Sequence, residues 1–222
     1  MKNIFLLLPI FLFLLTACDS GSSENNGENN GENGVVTDDA NGEVKIDGKK
    51  YKLPEVKKCQ KPETVRDLSS GMQKIFYQMN ADNSASLAVF GGMAGLKIGK
   101  KEAVVIVDFM QYKDMNCEEK ARYGVGVRLF LHIKKSFKGL DVNNLPQLAA
   151  NAQLGKATVQ YTIKTIGVTG PKINDLIPRS ATNVFDVDGY ASVINAVDKI
   201  QNLIKDNVEG VVIDPQLIPI VD

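Results

Sequence analysis

The stretch Arg122-Tyr123-Gly124-Val125-Gly126-Val127-Arg128-Leu129-Phe130-Leu131-His132-Ile133-Lys134 alternates without a slip. Tyr123, Val125, Val127, Leu129, Leu131 and Ile133 fall on one side. Arg122, Gly124, Gly126, Arg128, Phe130, His132 and Lys134 fall on the other. Successive side chains of an extended chain point to opposite faces, so this pattern predicts a half-buried β-strand with its apolar side on a core.

Working outward, Ala157 to Val168 shows the same period, with Ala157, Val159, Tyr161 and Ile163 opposite Thr158, Gln160, Thr162 and Lys164. Upstream, Ala85 to Ile98 and Ala103 to Tyr112 are two apolar runs separated by Gly99-Lys100-Lys101-Glu102, which predicts a hairpin. Val44 to Leu53 predicts a smaller hairpin, because Asp47-Gly48 supplies a turn that needs positive φ. Gly91-Gly92-Met93-Ala94-Gly95 lies within a strand-like run, where glycines mark a bulge or close packing rather than a phosphate loop.

Three helices are expected. Pro62 is suited to a first helical position, and Val65, Leu68, Met72, Ile75 and Met79 recur at helical spacing. Asn144 is an N-cap candidate for a short helix that Gly155 closes. Gly189 to Lys205 carries an apolar stripe of Tyr190, Val193, Ile194, Val197, Ile200 and Ile204, with Asp188 as the expected cap. The fold class that follows is α+β: a four- or five-stranded, mainly antiparallel sheet with two or three helices packed on it. Residues 44–222 are long enough for one domain with a real core.

The start of the chain has a different character. Lys2 precedes an apolar run from Ile4 to Leu15, interrupted by Pro9 and followed by Leu15-Thr16-Ala17-Cys18 and then Asp19-Ser20-Gly21. The run is short of the roughly 20 apolar residues that a spanning helix needs, and its layout is that of a secretory signal. Together with the tetrapeptide it resembles the signal and lipobox of bacterial lipoprotein precursors, a resemblance confined to the first eighteen residues. That resemblance implies removal of residues 1–17, acylation of Cys18 and anchoring in a lipid bilayer, with the rest of the protein outside the cytoplasm, at a periplasmic face or the cell surface. Two or three acyl chains anchor stably, since each buried methylene contributes about 0.8 kcal/mol.

Residues 18–43 read as a flexible acidic tether. They repeat Glu-Asn-Asn-Gly at Glu24 and Glu28, with a shorter echo at Glu32, and they hold seven acids and no Lys or Arg. Asn, Gly and Glu bury almost no apolar surface, so nothing offsets the entropy of ordering such a segment. Its root-mean-square span would be roughly 25 to 30 Å. The formally neutral chain therefore divides into an acidic tether and a basic domain, with 25 basic against 19 acidic residues from Val44 onward. The basic residues are scattered, which suits a solvated surface and carries no specific nucleic-acid signal.

Acylation of Cys18 leaves Cys59 and Cys117 as a pair, and in an exported chain an even remainder points to a disulfide. With one histidine and no close cysteine spacing, no metal site is expected, and no cofactor motif is present. There is no G-x-S-x-G, no H-E-x-x-H and no phosphate-cradling glycine loop, so no catalytic residue is assigned. The candidate ligand residues are Arg128 and His132 on the polar side of the central strand, with Asp108 and Tyr112 from its neighbour, and Gly124 and Gly126 leaving room beside them. Along one strand Arg128 and His132 stand roughly 13 Å apart, so neighbouring strands must complete any site.

Three functional classes fit. One is an anchored protein that binds a protein, glycan or small-molecule ligand. Another is a tethered hydrolase of envelope or extracellular polymers, in which His132 would have a carboxylate within hydrogen-bond reach. The third is a membrane-inserting or immunity-type lipoprotein that uses the segment Ser84 to Tyr112.

Overall fold

The computed structural model describes residues 37–38, 43–46, 49–52, 56–61, 68, 71–80, 87–90, 97–98, 102–118, 120–135, 140–178 and 183–220. The signal, the lipobox and Gly91 to Gly95 lie outside them. In chain order come β1 (Thr37–Asp38), β2 (Glu43–Ile46), β3 (Lys49–Lys52), β4 (Gln73–Asn80), β5 (Leu87–Phe90), β6 (Lys97–Ile98), β7 (Ala103–Asn116), β8 (Lys120–Lys135) and β9 (Leu140–Asp141). Then follow α1 (Leu145–Gln153), β10 (Thr158–Ile166), β11 (Val168–Thr169), α2 (Pro171–Asn174), β12 (Asn183–Val184), α3 (Val187–Lys205), β13 (Val212–Ile213) and β14 (Gln216–Pro219). The class is the expected α+β.

The main sheet has seven strands, in the order β12-β10-β8-β7-β4-β5, with β14 also paired to β8. Every pairing in it is antiparallel. At its centre β7 and β8 form one long hairpin, in register from Ala103↔Ile133 to Asn116↔Lys120. The far side of β8 is shared by two partners in succession: β14 pairs with Ala121 to Gly124, and β10 with Gly126 to Lys135. The apolar side of β8 is buried as its alternation requires, Val125, Val127, Leu129, Leu131 and Ile133 being wholly inaccessible. On that side they pack with Leu145 and Leu148 of α1 and with Val193, Val197 and Ile200 of α3. Each such side chain contributes about 1.5–3 kcal/mol on burial.

The two later helices follow their sequence signals closely. Asn144 caps α1, its side chain accepting from the Gln147 N–H at 3.1 Å, and Gly155 takes the positive φ of 68° that ends it. The cap of α3 is Asp186 rather than Asp188. Asp186 is extended and its Oδ1 accepts from the Gly189 N–H at 2.8 Å, which leaves Asp188 inside the first turn, where its charge opposes the helix dipole.

Four other expectations are corrected. The helix assigned around Met72 to Met79 is strand β4, whereas Pro62 and Val65 lie outside the described residues. Ile75 and Met79 are four apart, a spacing that shares a face in a strand as well as in a helix, and register with β7 decided between them. Nor do Ala85–Ile98 and Ala103–Tyr112 form a hairpin: β4 lies between β5 and β7, and Lys97–Ile98 pairs with β9. The polar side of β8 is not open, because Val104, Ile106, Met110 and Phe130 supply enough apolar surface for that face to be buried as well. Finally, Gly124 and Gly126 leave no room for a ligand. A Cβ on Gly126 would stand 2.9 Å from the Met110 Cα, and one on Gly124 2.7 Å from the Tyr112 Cβ, so the space is filled by β7 itself.

Near the N-terminus, β2 and β3 pair antiparallel as the predicted small hairpin requires, with Ile46 opposite Lys49, while Asp47 and Gly48 lie outside the described residues. Thr37–Asp38, within the expected tether, pairs with Val44–Lys45 as a third strand. Ordered pairing therefore begins ahead of Val44.

Candidate functional site

The second face of the sheet is built in cross-strand rows. Its central row runs Lys164, Arg128, Asp108, Ile75 across β10, β8, β7 and β4. Asp108 is fully buried, and Arg128 donates to it twice, Nε to Oδ1 and Nη2 to Oδ2, each at 2.7 Å. A carboxylate deprived of water is costly unless paired, and a planar guanidinium presenting two parallel N–H groups is the side chain best shaped to pair it. Lys164 lies beside them with its Nζ 5.9 Å from the centre of the Phe130 ring.

Toward one end of this face, His132 occupies the row of Gln160 and Val104. It is 4% exposed, and its Nε2 is 2.6 Å from the Glu102 Oε1. A carboxylate within reach of His132 is what a tethered hydrolase would need, but Gln160 and Val104 bring no hydroxyl or thiol nucleophile to that row. Among the described residues, no group of His, Cys, Asp and Glu is arranged to hold a metal ion.

Toward the opposite end, near the β7–β8 turn, Tyr112 is half-buried and its hydroxyl donates to the exposed Gln73 Oε1 at 2.8 Å. The Arg122 guanidinium lies over the Tyr112 ring at 4.9 Å, within cation–π range. Its Nε stands 3.3 Å from the Asp114 Oδ1, an ion-pair contact outside hydrogen-bond geometry. Neither the Nε nor the Nη1 of Arg122 has a hydrogen-bond acceptor among the described residues, although both atoms are buried.

The structure thus brings two of the four candidate residues together, Asp108 and Arg128. It places Tyr112 and His132 in separate clusters on either side of them. Three further participants are not singled out by the sequence: Glu102 falls in an expected turn, Gln73 in an expected helix, and Arg122 lies six residues from Arg128 along the same strand. The turn at Cys117-Glu118 was the usable signal, since Asp108 and Arg128 each lie ten residues from Glu118 and must face one another if β7 and β8 pair around it. Cys59 and Cys117 are disulfide-bonded, with Cα atoms 5.4 Å apart, within the range a bridge requires.

No protein-family model matches the chain, nor does any curated protein or solved structure. Among the described residues no helix is long and apolar enough to cross a membrane, which leaves strands unaddressed. What the fold and this face define is an antiparallel α+β domain whose polar side chains are largely engaged with one another.

Proposed function

We propose that this chain is a lipoprotein held at an envelope membrane or the cell surface through acylated Cys18, and that its domain binds a protein, glycan or small-molecule ligand. The sequence Leu15-Thr16-Ala17-Cys18 supports the anchor, and the Cys59–Cys117 bridge agrees with an oxidising compartment outside the cytoplasm. The observation that carries the binding reading is Arg122: a permanently charged guanidinium, two of whose buried nitrogens have no acceptor among the described residues, gains more from an incoming carboxylate, hydroxyl or carbonyl oxygen than a solvated one does. Tyr112 and Asp114 lie against it near the β7–β8 turn, and Gln73 accepts from the Tyr112 hydroxyl. In this reading Asp108–Arg128 and His132–Glu102 support the site from within the sheet, and Tyr112 with Arg122 meets the ligand.

Two experiments test it. Cys18→Ala should move the protein from the detergent phase to the aqueous phase on partitioning, and retention in the detergent phase would refute the anchor. For the site, the domain from residue 32 onward is screened on an immobilised glycan array and a peptide array. Arg122→Ala with Tyr112→Ala should reduce retained binding at least tenfold, and equal binding by the folded variant would place the site elsewhere.

A further inference from the structure

Among the described residues, no backbone pairing joins the sheet of β1, β2 and β3 to the seven-stranded sheet. Residues 56–61 lead the chain toward the main sheet, and among the described residues they meet the rest of the fold at the β7–β8 turn and ahead of β14. At the β7–β8 turn, Cys59 is bonded to Cys117 and the Lys58 Nζ stands 3.8 Å from the Glu118 Oε2. Just ahead of β14, the Lys61 Nζ is 2.5 Å from the Asp214 Oδ1.

These contacts differ in kind. The two ion pairs are exposed on both partners, with Glu118 at 77% and Asp214 at 68%, so water and salt compete with them and they open and reform freely. The sulfur–sulfur bond does not open thermally. It opens by exchange with a thiol, and both half-buried cysteines sit where the chain turns at the edge of the fold. The long pairing of β7 with β8 and the core under α1 and α3 involve neither cysteine.

We propose that Cys59–Cys117 is a redox-sensitive clasp, whose reduction frees residues 56–61 from the β7–β8 turn while the seven-stranded sheet stays folded. The co-reactant is a dithiol, either a small molecule or an exported dithiol oxidoreductase. One of its thiolates attacks a sulfur of the bridge, forming a mixed disulfide and expelling the other cysteine as a thiolate. Its second thiol then closes the reductant's own disulfide and expels the first cysteine. Two electrons and two protons pass to Cys59 and Cys117, which end as thiols. If the chain is anchored at Cys18, a consequence that rests on the functional reading above, release moves the first fixed point of the chain from Cys59 toward Leu68, which packs against the core.

The test uses the full chain from residue 18 onward, oxidised or treated with dithiothreitol under native conditions, and a Cys59→Ser variant. Trypsin cleavage at Lys57 and Lys58 is followed by mass spectrometry, and hydrogen exchange reports on β7 and β8. Reduction and substitution should each accelerate those cleavages at least tenfold, with amide protection in β7 and β8 retained. Unchanged cleavage would show that other contacts hold the segment and overturn the clasp. Loss of protection throughout β7 and β8 on reduction would overturn it too, making the bridge a staple of the whole fold; chemical reduction of the folded protein answers this even where Cys59→Ser fails to fold.

Discussion

Asp108 and Arg128 stand directly opposite one another on β7 and β8, joined by two 2.7 Å hydrogen bonds at the centre of a sheet face where Asp108 has no exposure to water. The pair replaces the hydration that both groups lose. It also ties register to chemistry: a slip of one residue between β7 and β8 would carry the carboxylate to the face packed by α1 and α3.

Arg128→Ala should therefore cost about 3–5 kcal/mol of stability, because it strands a buried carboxylate without a partner. The double variant Asp108→Leu with Arg128→Met should be much closer to wild type. Urea unfolding of the wild type, Arg128→Ala and the double variant measures the difference. A double variant as unstable as Arg128→Ala would show that the loss comes from packing rather than from the unpaired charge.

Gly126→Ala should destabilise the domain by about 1–3 kcal/mol, the range of overpacking. A Cβ there meets the Phe109 carbonyl and the Met110 Cα, backbone atoms that move only if the β7–β8 pairing moves. Gly155→Ala meets open space and bears only the strain of its positive φ, so it should cost about 1 kcal/mol or less. Thermal melts of the two variants should rank them in that order.

The stability of the domain should fall in alkali through Tyr161. Burial, and then the Asp186 charge, raise the pKa of its hydroxyl above the ordinary 10.0. A raised folded-state pKa stabilises fully below the unfolded value, and that contribution is lost as pH rises from about 10 through the folded value. Tyr161→Phe keeps the ring in its edge-to-face contact with Phe185, 5.7 Å between centroids, and removes the ionisation. Chemical denaturation at a series of pH values from 8 to 12 should show a shallower alkaline decline in Tyr161→Phe, and identical slopes would exclude this tyrosine as the cause.

Much of the fold was legible because it rests on local rules. The alternation through Arg122 to Lys134 and Ala157 to Val168 has no helical reading, so β8 and β10 follow from side-chain period alone. The α3 stripe repeats over about four turns, and Asn144 and Gly155 mark the ends of α1 by chemistry that acts within one turn. Ambiguity entered where two periods coincide, as at Ile75 and Met79. It also entered at the start of α3, where Asp188 is the expected cap and Asp186, two residues earlier, takes the role through its extended backbone.

The sequence by itself determined the α+β class, the apolar face of the central strand and the two later helices, and it suggested the pairing of Cys59 with Cys117 that the structure shows. Each depends on side chains near one another along the chain, or on counting. Tertiary structure alone decided which strands are neighbours, that both faces of β8 are buried, and which polar groups meet. Those outcomes turn on contacts between residues far apart in sequence: β4 displaced the expected partner of β7 by offering eight registered residues, and Arg128 found Asp108, not His132, because cross-strand distance is shorter than distance along the strand.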